Sequence, residues 1–522
     1  MYTITSKNEF VTVTEAYATM SDGVRLYTRY AVPSGAQKCP AVYIRTPYDP
    51  SHNGLAHDLQ SYKDNLFIQH GYAVVLQHCR GTGDSEGECI PYQEREDGLE
   101  TLDYIRSLPF YNGEIYVTGS SYLATVHLCY LSEKQEDIKG ACLQIQTDRM
   151  YYRNFRNGCN YKLNNALWWA GMLKRRFPEQ QRELVNELPY VESAKRVFGV
   201  DVPEFTEGLI HNDCDEYWTC DPRWSVIDSL DVPTLFVDGW YDFYIDGMMN
   251  MWERLPDKTK SCSSMLVGPY GHALGVRKQA EYPLEHGNLP DDYVVEWFES
   301  IRKSAPFKYA ELGMVNYYSI GADEWRVGAY PKFDSDTVRF WLGGEAKLLR
   351  EEADSKAFTY TYDPKKISKC YRSGDIYRAH KPGEVNGVIS FVSDLFEKEE
   401  RFFGKVKFSL NVSSDCEDTA FYMRLYFVDG GESYNLTETV GSLSYLVGDY
   451  TPGERVKIEL ETPPIAFTVK PGMRIRVDIS SESGVYLPHP NVKGHFAYVT
   501  DTKIAHNTIY TDGSYVDICY ES

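Results

Sequence analysis

Disulfide signatures are the first thing missing. The 522 residues include 12 cysteines, scattered, with no C-x-x-C pair. That spacing excludes a disulfide frame and a zinc site, and it reads as reduced, mostly buried thiols. The opening Met1-Tyr-Thr-Ile-Thr-Ser-Lys-Asn-Glu9 has no basic stretch followed by an apolar one, so no signal peptide is expected. No uninterrupted apolar run approaches the roughly 20 residues of a membrane span. Positive charge is scarce: 54 Lys and Arg stand against 75 Asp and Glu, a net charge of −21. This argues against nucleic acid or an anionic membrane as a partner. A cationic ligand would fit, but solubility explains the surplus more simply. Asn411 and Asn435 fit N-x-S/T and read as chance matches in the absence of a secretion signal. No short-period repeat or low-complexity tract is visible, and the expected compartment is the cytoplasm.

What remains is an ordinary globular composition, 43% hydrophobic and 25% charged. The chain is too long for one core, so two or three domains are expected. Short apolar runs at 41–46, 72–77, 115–118, 233–237 and 264–267 read as strands. Helical spacing at 56–70 and 96–107 lies between the early ones. Apolar strands alternating with helices predict βαβ units and a parallel sheet. Between 146 and 226 strand runs vanish and aromatic and long helical residues dominate, which predicts a helical insertion capping an active site. From about 335 the period becomes two, as in Lys405–Val412 and Arg474–Ile479, with turns between and no helices, which predicts an all-β sandwich. The expected division is an α/β core over 1–145 and 227–305, a cap over 146–226, and a β domain with its linker over 306–522.

The most informative stretch is Ile115-Tyr-Val-Thr-Gly-Ser-Ser-Tyr-Leu-Ala-Thr125. An apolar run, a small residue, a serine and an immediate helical pattern form the layout of a nucleophile elbow. Ser120 and Ser121 compete; only Ser121 has a glycine two residues before it, Gly119. Leu123 occupies the last glycine position of G-x-S-x-G, so an ordinary strand–turn–helix explains this stretch about as well.

A serine nucleophile needs a base and a carboxylate to orient that base, in the order Ser, Asp/Glu, His on this scaffold. The run at 233–237 is followed by Asp238-Gly-Trp-Tyr-Asp242, and that at 264–267 by Gly268-Pro-Tyr-Gly-His272. Asp238 is too close to the strand end, Asp242 is preferred, and Asp246 is next; Asp242 or Asp246 could instead cap a helix. His272 follows a strand, whereas its main rival His286 does not. An oxyanion hole needs two donors: the Tyr122 N–H supplies one, and the loop after 41–46 offers the Tyr48 hydroxyl. Trp168, Trp169, Phe243 and Tyr244 are candidates for an acyl pocket, each read singly more simply as cap core.

Taken together, Arg45-Thr-Pro-Tyr-Asp49, Cys79-Arg-Gly-Thr-Gly-Asp-Ser-Glu-Gly-Glu88, Gly119-Ser-Ser-Tyr122, Gly239-Trp-Tyr-Asp242 and Gly268-Pro-Tyr-Gly-His272 resemble motifs of the Xaa-Pro dipeptidyl-peptidase-like hydrolases. That group includes cocaine esterase, α-amino acid ester hydrolases and glutaryl-type acylases. Gly321-Ala-Asp-Glu-Trp325, Val412-Ser-Ser-Asp415 and Gly472–Ser480 extend the resemblance over nearly the whole chain. It implies an α/β-hydrolase domain, an inserted helical cap and a C-terminal jelly roll. It also implies a Ser121–His272–Asp242 triad with Tyr48 and Tyr122 as the oxyanion hole. Ala124 replaces the motif's last glycine, His78 stands where an aspartate is common, and no Pro-Val-Pro run follows Pro364.

The expected chemistry is acyl transfer to water through an acyl-enzyme, with no cofactor or metal. The expected substrate is a small acyl ester or a short peptide, and a homo-oligomer is left open. A dipeptidyl-peptidase or amino-ester hydrolase needs carboxylates for a free ammonium, and Asp213, Asp215 and Glu216 in the cap are candidates. An inactive binding protein on the same scaffold is the remaining alternative.

Overall fold

The structure, a computed structural model, describes residues 4–48, 65–161, 184–278, 280–330, 336–352, 355–366 and 374–521. Thirteen strands lie in its first part. They are β1 (Ile4–Lys7), β2 (Val11–Thr19), β3 (Arg25–Pro33), β4 (Cys39–Thr46), β5 (Ala73–His78), β6 (Tyr111–Ser120) and β7 (Ile138–Gln144), then β8 (Phe155–Arg156), β9 (Cys159–Asn160), β10 (Thr234–Gly239), β11 (Ser264–Gly268), β12 (Val315–Ser319) and β13 (Glu324–Gly328). All but the small β8–β9 hairpin form one sheet, in the order β1-β2-β3-β5-β4-β6-β7-β10-β11-β12-β13. Its centre, from β5 to β12, is parallel. The ends are antiparallel.

The parallel centre follows from the apolar runs. β5, β10 and β11 are buried at every position, as strands covered by helices on both faces must be. The helices Arg95–Ser107 and Tyr293–Arg302 are among those covering it. The half-exposed strands of the C-terminal part alternate instead. Val456–Glu461 buries only its third and fifth residues, Ile458 and Leu460.

The sheet is wider than the sequence reading. β1 to β3 and β7 were not anticipated, and β12 and β13 lie beyond residue 305, so the expected division leaves two strands of the first sheet in the second unit. Of the helix expected over 56–70, Leu66–Gln69 is helical and 49–64 lies outside the described residues. The described part of the 146–226 insertion holds short helices (Met150–Asn154, Ser193–Phe198, Pro203–Ile210, Glu216–Thr219) and the unanticipated β8–β9 hairpin.

The C-terminal part is the expected β domain. Its two longest strands, Glu400–Ser414 and Ala505–Tyr520, pair with each other across two register shifts. Each also takes further antiparallel partners along its length. The β domain is bound tightly to the first sheet. The Tyr317 ring stacks on Phe403 at 4.0 Å, the Tyr241 hydroxyl donates to the Asn435 carbonyl at 3.0 Å, and Ile320 N–H donates to Ala466 O at 3.1 Å. His78, the departure from the family pattern, is buried. It accepts the Asp84 N–H at 3.1 Å and packs on Tyr27 with centroids 4.9 Å apart.

Candidate active site

Four of the parallel strands end at one place, the carboxyl edge where open α/β sheets collect their functional loops. β6 delivers Ser121, β4 delivers Tyr48, β10 delivers Asp242 and β11 delivers His272.

Ser121 sits at φ 56° and ψ −127° and opens the helix Tyr122–Leu128. For a residue with a side chain this backbone costs on the order of 1–3 kcal/mol. Sheet and helix hold it there: Ser121 N–H donates to Gln144 O at 2.9 Å, and Ser121 O accepts from Ala124 and Thr125 N–H at 2.9 and 3.1 Å. The turn is so tight that a Cβ on Gly119 would lie 2.3 Å from the Leu123 carbonyl. Ala124 is fully buried under the turn, so a methyl group fits where the family has glycine.

His272 is hydrogen-bonded on both ring nitrogens. Nε2 lies 2.9 Å from Ser121 Oγ and Nδ1 lies 2.8 Å from Asp242 Oδ2. The other Asp242 oxygen accepts the Tyr244 N–H at 2.7 Å, and the carboxylate is fully buried whereas the imidazole is one-third exposed. The loop reaches this place by a close crossing, since a Cβ on Gly239 would meet the Tyr270 carbonyl at 1.8 Å. A hydroxyl, an imidazole and a buried carboxylate in line can move a proton off the hydroxyl.

The Tyr48 hydroxyl faces Ser121 and the Tyr122 N–H, and burial pushes its pKa up, so it stays a neutral donor. The Tyr122 N–H belongs to the first turn of its helix, where backbone donors have no intrahelical partner. Phe243 stacks on His272 with centroids 4.6 Å apart, and Tyr244 lies 5.7 Å from it. Trp168 and Trp169 lie outside the described residues.

The rival residues are engaged elsewhere. Asp238 is buried at the end of β10, where burial and then the neighbouring Asp242 carboxylate raise its pKa, and its Oδ1 accepts the Gly239 N–H at 2.7 Å. Asp246 reaches Arg156 at 3.3 Å and Lys405 at 3.8 Å. His286 pairs with Asp323 at 2.9 Å. His127 is buried against Tyr130 at 2.5 Å, and burial and Arg45 lower its pKa to about 3. Asp215 caps the helix Glu216–Thr219 and pairs with His211 at 2.5 Å; Asp213 lines a separate cleft with Asp418 and His489. None of Asp213, Asp215 and Glu216 lines the cavity beside His272. That cavity is lined instead by Arg153, Arg156 and Arg277, which sequence reasoning missed. No motif marks them, and the fold alone brings them together.

Comparison with known proteins agrees with this architecture. Residues 22–274 match the model of the X-Pro dipeptidyl-peptidase (S15 family) and residues 309–517 that of the X-Pro dipeptidyl-peptidase C-terminal non-catalytic domain. A cocaine esterase from Rhodococcus sp. is 23% identical over 519 residues, covering 89% of each chain. Among solved structures, an α-amino acid ester hydrolase superposes with TM-score 0.86 at 20% identity, covering 98% of this chain and 97% of its own. An aminopeptidase from a Thaumarchaeota archaeon also gives TM-score 0.86 at 17% identity, covering 99% and 98%. At these identities the structures establish the fold. With both family models in sequence over one chain, the protein belongs to the X-Pro dipeptidyl-peptidase-like serine hydrolases, which cleave ester or peptide bonds.

Proposed function

We propose that Ser121 is the nucleophile of a carboxylic-ester hydrolase, with His272 as general base and then acid, and Asp242 fixing the imidazole tautomer. Ser121 Oγ attacks the carbonyl while His272 takes its proton. The tetrahedral oxyanion is held by the Tyr48 hydroxyl and the Tyr122 N–H. The alcohol leaves with the proton from His272, and water repeats the sequence on the acyl-enzyme. The observation that carries this reading is the line Ser121 Oγ–His272–Asp242 at 2.9 and 2.8 Å on a strained strand-to-helix turn.

The alternatives, an Xaa-Pro dipeptidyl-peptidase or an α-amino acid ester hydrolase or acylase, use the same triad but bind a free ammonium. The ester reading is favoured because the cap acids considered for that task lie away from the cavity beside His272. Among the described residues no helix is long and apolar enough to cross a membrane, and eleven cysteines are free. The free thiols support a reducing, cytoplasmic setting. The test is a panel of p-nitrophenyl esters against Xaa-Pro and amino-acid p-nitroanilides. The ester reading predicts turnover of the esters that Ser121→Ala abolishes; selective cleavage of Xaa-Pro anilides would replace it with the peptidase reading.

A further inference from the structure

On a chain with net charge −21, the cavity beside His272 is lined by cations. It encloses about 260 Å³ where the loop after β10, the first cap helix, the β8–β9 hairpin and the β domain meet, and Asp242, Phe243 and His272 form one wall. Arg153, 6% exposed, places its guanidinium 5.0 Å from the Phe243 ring, the same ring that stacks on His272. Arg156 is part-buried and reaches Asp246 through a single long contact of 3.3 Å. Arg277 stands exposed at the rim, with no ion pair among the described residues. The lining has two carboxylates: Glu438 pairs with Arg424, and Asp242 is hydrogen-bonded to His272 Nδ1 and the Tyr244 N–H, so three guanidinium groups face two carboxylates that already have partners.

We propose that this cavity binds a carboxylate carried by the substrate. The inference rests on Ser121, His272 and Asp242 acting as proposed above. Guanidinium groups match a carboxylate with paired N–H donors, and partial burial strengthens the attraction. The same lining disfavours a free ammonium, so a peptide amino terminus is the wrong ligand for it. The position also says which part of the substrate bears the charge. The cavity touches His272 and Asp242 but neither Ser121 nor Tyr48. His272 hands its proton to the departing group, so the carboxylate belongs on the leaving-group side.

The test uses matched acetates: 4-acetoxybenzoate, its neutral methyl ester, and a cationic (4-acetoxybenzyl)trimethylammonium. Each kcat/KM is normalised to the ester's rate with hydroxide. A second pair, mono-4-nitrophenyl glutarate and 4-nitrophenyl butyrate, moves the carboxylate to the acyl side. The expected order is anionic, neutral, cationic, with the anionic ester about tenfold ahead of the neutral one, as one charge-assisted contact supplies. Arg277→Gln should shrink that ratio severalfold and Arg277→Glu should invert it. Arg153→Gln should also reduce it; because Arg153 is buried, the exposed Arg277 keeps the test decisive if that variant does not fold. Lys258→Gln, on the far surface, should leave the ratio alone. A preference in the glutarate pair alone keeps the carboxylate site and overturns its leaving-group placement. Equal or lower activity on both anionic esters, or a ratio untouched by Arg277→Glu, overturns the site. A protein that turns over none of the esters and takes no fluorophosphonate overturns the hydrolase reading as well, and the missing label tells the two failures apart.

Discussion

His272 in the hydrolase part and His506 in the β domain make nearly the same contact. Each holds a carboxylate oxygen through Nδ1, at 2.8 Å to Asp242 and 2.7 Å to Asp415. In the described residues six histidines lie within 4 Å of a carboxylate, yet only His272 has a serine hydroxyl on its other nitrogen. The Asp415 pair is half exposed on both sides, whereas the Asp242 carboxylate is fully buried. A buried carboxylate orients and polarises its imidazole more strongly than a solvated one. The difference lies in how the chain delivers the residues. The ends of the parallel strands β6, β10 and β11 bring Ser121, Asp242 and His272 together, while His506 sits at the start of an antiparallel strand whose neighbours only close the ladder. A histidine–aspartate pair is a common way to tie two loops; among the described residues, only the pair at His272 has a serine hydroxyl on its other side, held on a turn at φ 56°.

The comparison breaks most sharply at the serine. Ser121→Ala should lower kcat for a p-nitrophenyl ester by about 10⁴–10⁶-fold, whereas Ser120→Ala should retain most activity. Next come the two aspartates. Asp242→Asn should cost about 10⁴-fold in kcat by releasing the wrong imidazole tautomer, and Asp415→Asn in the β domain should change kcat by less than about twofold, both read from steady-state rates on folded protein. Tyr48→Phe removes one of the two oxyanion donors and should cost about 10²-fold in kcat with little change in KM.

The smallest effect concerns stability. Asp148 is buried beside Arg254, and burial raises its pKa to about 6 despite that partner. Its folded-state pKa lies above the unfolded value. Its contribution is therefore fully present below about pH 4 and is lost as pH rises through about 6. Relative to wild type, Asp148→Asn should gain on the order of 2 kcal/mol between pH 4 and pH 7. Denaturant melts at the two pH values check this, and a difference that stays constant would show that Asp148 does not titrate there.

The contact of Ser121, His272 and Asp242 was legible because its signals are local. Gly119 before Ser121, and the two loops directly after apolar runs, place three residues at strand ends without knowledge of packing. The apolar runs also gave the parallel centre of the sheet, since strands buried on both faces are apolar throughout. The antiparallel edges β1 to β3 were missed because their alternating residues, as in Val11-Thr-Val-Thr14, resemble any half-exposed segment. β12 and β13 fell on the wrong side of a boundary because Val315–Ser319 is buried throughout yet carries Asn316 and Ser319, so it does not read as an apolar run. The arginine lining was not legible at all. Arg153 and Arg156 come from the cap and Arg277 from the loop after β11, and nothing in their spacing joins them.

The central claim is that this one histidine pair, among six, activates a serine. Treatment of the native protein with a fluorophosphonate, followed by peptide mapping, tests it directly. The account predicts a single stoichiometric adduct on Ser121, lost in Ser121→Ala and slowed severely in Asp242→Asn. An adduct on Ser120 or elsewhere, or labelling that survives Ser121→Ala, would contradict it.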